Sequence, residues 1–303
     1  MLPPFELHRP RTVDEACELL GRFGEDAAPY AGGTELLLVM KLGFARPTHL
    51  VDVKRLPGLD VIENGGPGLR IGATVTHRTV ERSIVVREHA PVLSGVARHI
   101  ANVRVRNVGT VGGNLAFADP HSDLATLGLA LDARVELVSP RGRRELAIDA
   151  FVQGPWETAR AADELLTAVT VPPWPSRTAA TYVKFGVHER PTLGVAVALT
   201  PAADGARVGD ARVVVGCVSP RPIRIRDAEA RLAGVAFAEL GDVASEIGTL
   251  AAERVDAVDD LHGAADYKRD MTAVFTRRAL AVATARATGA APVASRYPYT
   301  IVV

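Results

Sequence analysis

Apolar positions along this chain switch between two periods, and each switch marks an element. "TVDEACELLGRFG" (Thr12 to Gly24) places Val13, Ala16, Leu19 and Leu20 on one helical face. Thr12 with Glu15 forms a capping box that opens this helix, and Gly21 or Gly24 can close it. "APYAGGT" reads as a short strand running into a glycine turn. Thr34 is placed to cap a helix through "ELLLVMKLG", ended by Gly43 and Pro47, and "HLVDV" reads as a strand. Helix thus alternates with strand over roughly the first fifty residues, as in an α/β layer.

From Pro57 the pattern changes. "LRIGATVT" reads as a strand, with Thr76 or Thr79 starting a short helix, and "APVLSGVARHIA" puts Val92 or Leu93, Val96, Ala97 and Ile100 on one helical face. "HSDLATLGLALDARVELVSPRGRRELAI" reads as a helix and then a two-stranded hairpin turning at Pro140–Gly142. The proline-rich "VPPWPSRT" (Val171 to Thr178) is the best domain boundary. Beyond it, "TYVKFGVHE", "LGVAVALTP" and "ARVVVGCVS" read as strands. Helices follow at "DAEARLAG", "FAELGDVASEIGTLAAERV" and "AADYKRDMTAVFTRRALAVATARA", the last with Tyr267, Met271, Val274 and Phe275 on a shared face. The fold class is α+β.

Composition narrows the function classes. The chain has 303 residues, 48% hydrophobic and 23% charged, with 35 basic and 35 acidic residues. A balanced charge gives no bulk attraction for nucleic acid or an anionic membrane. The short basic run Arg141–Arg144 fits a solvated hairpin tip. No apolar stretch is long enough to span a membrane, and the N-terminus lacks a basic segment followed by an apolar core, so a cytoplasmic protein is expected. The two cysteines, Cys17 and Cys217, are too few for an iron–sulfur cluster, and packed small hydrophobes are the expected role.

Two glycine runs carry the chemistry: "YAGGTELLLVMK" (Tyr30 to Lys41) and "RNVGTVGGNLAFADPHSD" (Arg106 to Asp123). Glycine lets backbone approach a ligand closely, and successive amides can then point at one anion. Each run leads into a small polar side chain, Thr34 in one and Asn114 in the other, so a pyrophosphate could be held without lysine. Rival motifs fail. No Gly-Lys pair exists for a P-loop, "GGPGLRIG" has Ile71 where a dinucleotide fingerprint needs glycine, and no G-x-S-x-G elbow is present. The eight histidines show no H-x-H or H-x-x-x-H metal spacing. His77 and His121 flank the glycine runs, with surface or capping roles expected.

"AGGTELLLVMK" followed by "VRNVGTVGGNLAFADPHSD" resembles the FAD-binding subunit of the molybdenum hydroxylases, a family that includes carbon monoxide dehydrogenase and xanthine dehydrogenase. The resemblance covers nearly the whole chain. It implies a vanillyl-alcohol oxidase/p-cresol methylhydroxylase-type FAD-binding domain in two subdomains (residues 1–56 and 57–175), then a cap of a three-stranded sheet with helices (176–303). It implies that Ala31, Gly32, Gly33, Thr34 and Glu35 wrap the FAD pyrophosphate. Gly109, Thr110, Gly112, Gly113 and Asn114 would form a second loop near the phosphates and ribitol, with Thr76 nearby. Asp119 and Asp123 fall in the family's A-D-P-x-x-D element, where Asp123 anchors a sugar-chain hydroxyl. Lys184 matches a lysine beside the isoalloxazine. No protein catalytic residue is implied. FAD is held without a covalent link, and molybdopterin and iron–sulfur clusters belong to partner subunits: a large and a small chain, in a dimer of heterotrimers that passes electrons to an external acceptor. Thr34–Glu35 departs from the His-Ser of carbon monoxide dehydrogenases. Thr192 and Leu193 stand where those enzymes carry a flavin-covering tyrosine, which argues against carbon monoxide as substrate. A stand-alone FAD oxidase is the alternative; its acid–base candidates in the cap are Tyr182, His188 and Glu189.

Overall fold

Three short strands at the start of the chain pair in parallel, β1 (Glu6–His8), β2 (Ala27–Tyr30) and β3 (His49–Asp52), in the order β1-β3-β2. Helices α1 (Val13–Phe23) and α2 (Leu36–Leu42) make the crossovers between them. Parallel neighbours need such crossovers, which explains the alternating sequence pattern. The Thr12 hydroxyl accepts the Glu15 amide at 3.1 Å, and the Glu15 carboxylate reaches back to the Arg11 amide at 2.7 Å. Gly24, at φ 54°, ends the helix. Ala16, Cys17 and Leu20 of α1 pack on Val51, Val53, Val138 and Leu165, which makes α1 the seam between this sheet and the next.

The computed structural model describes residues 2–175, 177–187, 189–290 and 298–303, and these fall into two compact units. The first unit comprises 1–119 and 132–172; the second comprises 120–131 and 173–303. After β3 the first unit builds an antiparallel sheet from β4 (Ile62–Gly65), β5 (Gly68–Gly72) and three later strands. Between β5 and those strands run α3 (His77–Arg82), α4 (Ile84–His89), α5 (Pro91–Arg98), α6 (Val103–Val108) and α7 (Val111–Phe117). Helix α8 (Asp123–Ala130) follows, in the second unit. The chain then returns through β6 (Arg134–Ser139), β7 (Gly142–Ala147), α9 (Ile148–Phe151), β8 (Val152–Gly154), β9 (Glu157–Thr158) and β10 (Leu165–Val171). The sheet order is β4-β5-β10-β6-β7. The arginines of the β6–β7 turn are ion-paired as well as exposed: Arg141 with Asp163, Arg143 with Glu136 at 2.9 Å and Arg144 with Glu164 at 2.7 Å.

In the second unit the three expected strands are β11 (Ala179–Phe185), β12 (Leu193–Pro201) and β13 (Val208–Gly216). The short β14 (Ile223–Arg224) flanks β13. After it come α10 (Arg226–Leu232), α11 (Leu240–Arg254) and α12 (Ala265–Ala287), and then β15 (Thr300–Val302), which flanks β11 and completes five strands. The sheet is covered on both faces. Val183, Val195, Val197, Val213 and Val215 join Phe275, Ala279 and Ile247 in one core. The alternate positions Tyr182, Lys184, Gly194 and Gly216 face the other way, toward α8, whose eight residues are all buried. Strands buried on both faces read as continuous apolar runs, which is why "LGVAVAL" shows no alternation. The buried face of α12 differs from the expected one. It carries Lys268, Thr272, Phe275, Thr276, Ala279 and Ala283, while Tyr267 is exposed. The fully buried Lys268 contacts Asp260 at 2.6 Å and the Val258 carbonyl at 3.0 Å, so a charged residue sits where apolar periodicity would not place one. No helix among the described residues is long and apolar enough to cross a membrane.

Candidate functional site

The two glycine runs meet. Gly32, in the loop leaving β2, lies so close to the end of α6 that an added Cβ would stand 2.0 Å from the Val108 carbonyl oxygen and 2.9 Å from the Gly109 Cα. Only glycine fits such backbone-to-backbone contact. Gly33 takes a left-handed φ of 71°, and its Cβ would strike the Tyr30 ring. Within the described residues no main-chain hydrogen bond uses the Gly32, Gly33 or Thr34 amides. Thr34 does not cap α2, whose first turn has no side-chain cap at all, and the Thr34 hydroxyl makes no bond of its own there. Ala31 to Glu35 are all half-buried. This is a curved, partly shielded backbone with spare donors at the C-terminal end of a parallel strand, where open α/β sheets take ligands. Beside it, the Lys54 ammonium sits 3.6 Å from the Tyr30 ring centroid and 2.8 Å from Asp52. Only the pairing of β2 with β3 reveals that cation, because Tyr30 stands opposite Asp52 in the register.

The second run is built differently from a free loop. Gly109 and Thr110 are the hinge between α6 and α7, and Thr110 to Asn114 form the first turn of α7. Its amides are spent inside the protein. Val111 donates to the Val75 carbonyl at 2.9 Å, Gly112 to Ala73 at 2.9 Å, Gly113 to the Thr110 hydroxyl at 3.1 Å and Asn114 to the Thr110 carbonyl at 2.9 Å. Gly112 is glycine because its Cβ would meet the Ala73 Cβ at 2.6 Å, so its role here is close packing on the strand end before Thr76. Thr76 caps α3 through the Thr79 amide at 3.1 Å and bridges to Thr110. Gly113 is exposed, Asn114 half-buried, and Asp119 half-buried in the turn after α7.

His77 is not at the surface. It is 3% exposed, its ring lies within 3.2–3.4 Å of where a Cβ on Gly109 would stand, and its Nδ1 has no hydrogen-bond partner among the described residues. Burial first, and then the Arg106 charge, lower its pKa to about 4, so it is a neutral imidazole under the junction of the two runs. Its position directly after Thr76 in "GATVTH" was the available signal.

The second unit brings Asp123 and Lys184 together. Their Oδ2 and Nζ are 2.7 Å apart, with side chains 5% and 7% exposed, and the Tyr182 hydroxyl donates to Asp123 Oδ1 at 2.8 Å. Asp123 opens α8, whose cap is the Ser122 hydroxyl accepting the Ala125 amide at 3.1 Å. Gly194 leaves room for the Tyr182 hydroxyl, and Gly216 for Thr126. Strand β11 is paired on both sides, and Lys184 is buried. Burial, and then the Asp123 carboxylate, push the Tyr182 phenol well above its ordinary pKa, so it stays protonated.

Against known protein families, residues 3–174 match the model described as the FAD binding domain in molybdopterin dehydrogenase. Residues 186–283 match that of the CO dehydrogenase flavoprotein C-terminal domain. The chain belongs to the FAD-binding subunits of the molybdopterin dehydrogenases. It is 36% identical over 288 residues to the nicotine 6-hydroxylase medium subunit of Paenarthrobacter nicotinovorans, covering 94% of this chain and 99% of that one. It is 32% identical over 227 residues to a putative xanthine dehydrogenase FAD-binding subunit of Escherichia coli, covering 73% and 77%. Among solved structures, carbon monoxide dehydrogenase from Hydrogenophaga pseudoflava superposes with a TM-score of 0.90 at 36% identity, over 94% of this chain and 99% of that one. The mixed α/β architecture and the FAD-binding assignment agree with the resemblance read from the sequence, and the chain is an oxidoreductase subunit with FAD as its cofactor.

For this FAD-binding subunit, the loop Ala31–Glu35 suits an anionic cofactor: Gly32 and Gly33 hold positions that no Cβ could occupy, and the Gly32, Gly33 and Thr34 amides make no main-chain hydrogen bond among the described residues. Of the acid–base candidates of a stand-alone oxidase, Glu189 is exposed. Tyr182 is fully buried and tied to Asp123, and His188 lies outside the described residues. At the position of the flavin-covering tyrosine, Thr192 is buried and its hydroxyl donates to the His262 carbonyl at 3.3 Å. His121 is half-buried, 3.2 Å from Asp260 and stacked at a tilt on His262, instead of lying on the surface. Cys17 and Cys217 are both buried, and burial raises the Cys17 thiol to about 11.

Proposed function

We propose that this chain binds FAD without a covalent link and is the electron-transfer subunit of a heterotrimeric molybdenum hydroxylase. It takes electrons from iron–sulfur clusters of a small partner, served in turn by a large molybdopterin partner, and passes them to an external acceptor; the holoenzyme is a dimer of such heterotrimers. The observation that carries this reading is the meeting of the two glycine runs, with the spare Gly32, Gly33 and Thr34 donors at their junction. The bound flavin supplies the redox chemistry, and the protein supplies binding, orientation and electrostatics.

In this reading Ala31–Glu35 holds the pyrophosphate through main-chain amides, with Lys54 adding a cation at its rim. Gly109, Thr110, Gly112 and Gly113 shape the floor by packing α7 against Ala73 and Val75, and Asn114 and Asp119 contribute side chains. Thr76 fixes the α3 start next to Thr110. Asp123 and Lys184 serve the cofactor as a pair: Lys184 supplies positive charge, and Asp123 orients the ammonium as well as accepting from a sugar-chain hydroxyl. The division into 1–56, 57–175 and 176–303 follows the same reading. No side chain of this chain is given an acid–base role.

The test is direct. The purified chain reconstituted with FAD is precipitated with acid, and a yellow supernatant with a colourless pellet is expected. Flavin retained in the pellet, or no flavin taken up, contradicts the proposal.

A further inference from the structure

We propose that Glu6, His8 and His49 form a binding site for one divalent transition-metal ion of the zinc class, which clamps the N-terminal strand to the sheet. Sequence spacing hides the site, because its two histidines are 41 positions apart. Parallel pairing of β1 with β3 sets Glu6 opposite His49, and His8 follows two residues on, so strand alternation brings all three side chains to one face. Their ligand atoms lie within 4.8 Å of one another, and no other such trio occurs among the described residues.

The distances suit an ion. His8 Nε2 and His49 Nδ1 share a hydrogen bond at 3.0 Å, which an ion would replace by opening the pair a few tenths of an ångström, and the Glu6 oxygens stand 3.7 Å from His8 Nδ1 and from His49 Nδ1. Ligands about 2.0–2.2 Å from a tetrahedral zinc stand about 3.3–3.6 Å from each other. The carboxylate is too far to hydrogen-bond either ring directly. One Glu6 oxygen faces the ion position beside His49. The other stands 3.7 Å from His8 Nδ1, outside hydrogen-bond range. The Phe23 ring, at the end of α1, stacks on His49 at 3.7 Å and 13° and on His8 at 5.1 Å, so both rings are held before any ion arrives. The histidine side chains are 14% and 22% exposed and that of Glu6 is 67% exposed, which leaves a side open for the ion and for water in the fourth position. Two imidazoles with one carboxylate select zinc, nickel or copper(II) over magnesium or calcium. The site does not depend on the flavin reading.

The experiment uses the full chain, stripped with a chelator and titrated with zinc chloride against a chromophoric competitor. One equivalent should bind. His8→Gln and His49→Gln should each weaken binding at least tenfold, Glu6→Gln severalfold, and His89→Gln, at an exposed histidine elsewhere, not at all. Copper(II) bound to the wild-type chain should show electron paramagnetic resonance splitting from two nitrogens, falling to one in His49→Gln. Glu6→Gln changes an exposed side chain and keeps the test valid if a histidine variant misfolds. Zinc affinity equal in wild type and Glu6→Gln, no stoichiometric uptake, or a two-nitrogen copper signal that survives His49→Gln would overturn the proposal.

Discussion

His77 is a buried neutral imidazole where a surface or capping residue was expected, and it carries a pH signature. The unfolded chain takes up a proton on it near pH 6.5, while the folded chain refuses one until about pH 4. The stability it contributes is therefore complete above pH 6.5, falls as pH drops through that window and is lost near pH 4, about 3 kcal/mol in all. Urea midpoints measured between pH 4.5 and 7 should show this slope in the wild type and a shallower one in His77→Leu; equal slopes would place the imidazole in water. The ion pair Asp123–Lys184 makes a second residue-scale prediction. Removing one partner strands a buried charge, so Lys184→Met should cost about 3–5 kcal/mol, and Asp123→Asn with Lys184→Met less than the sum of the singles. Additive losses in a double-mutant cycle would mean that the pair is not formed. Both thiols should resist Ellman's reagent until the chain unfolds, since each is buried.

At the scale of elements, the "TVGGN" run changes meaning. Its glycines suggest a free phosphate loop, but they begin a capped helix whose amides are already used. Gly112→Ala would press a methyl group onto Ala73 and should destabilise the fold by about 1–3 kcal/mol through overpacking. Thr110→Ala removes the α7 cap and should cost about 1 kcal/mol. Thermal melts of flavin-free protein separate these losses from loss of cofactor; a Gly112→Ala melt identical to wild type would return the run to a free loop. Much of this architecture was legible beforehand. The α1 capping box, the α5 apolar face, the β6–β7 hairpin and the three long strands of the second unit all follow from local pattern. What local pattern misses is set by partners distant in sequence. Gly32 gives no sign that Val108 is its neighbour, Gly194 and Gly216 are small only because Tyr182 and Thr126 must fit, and Lys268 is buried because Asp260 comes back to meet it. The short β1, β14 and β15 carry too few residues to show a period.

At the scale of the whole molecule, the chain belongs to a family whose named members include medium subunits and FAD-binding subunits of larger enzymes. Tyr182 is held protonated, and around the glycine runs lie main-chain amides, small polar side chains, Glu35, Asp119, Lys54 and a neutral histidine. Such a site can hold a flavin and set its surroundings. In the proposed function, electrons reach that flavin from outside the chain. Anaerobic stopped-flow absorbance in the flavin band reports this, with substrate mixed against the FAD-loaded chain alone and against the complex assembled with the proposed iron–sulfur and molybdopterin partners. Rapid bleaching is expected in the complex, none in the lone chain, and none in a complex lacking the iron–sulfur subunit; rapid reduction of the lone chain by an aldehyde, a purine or an N-heterocycle would contradict the proposed function.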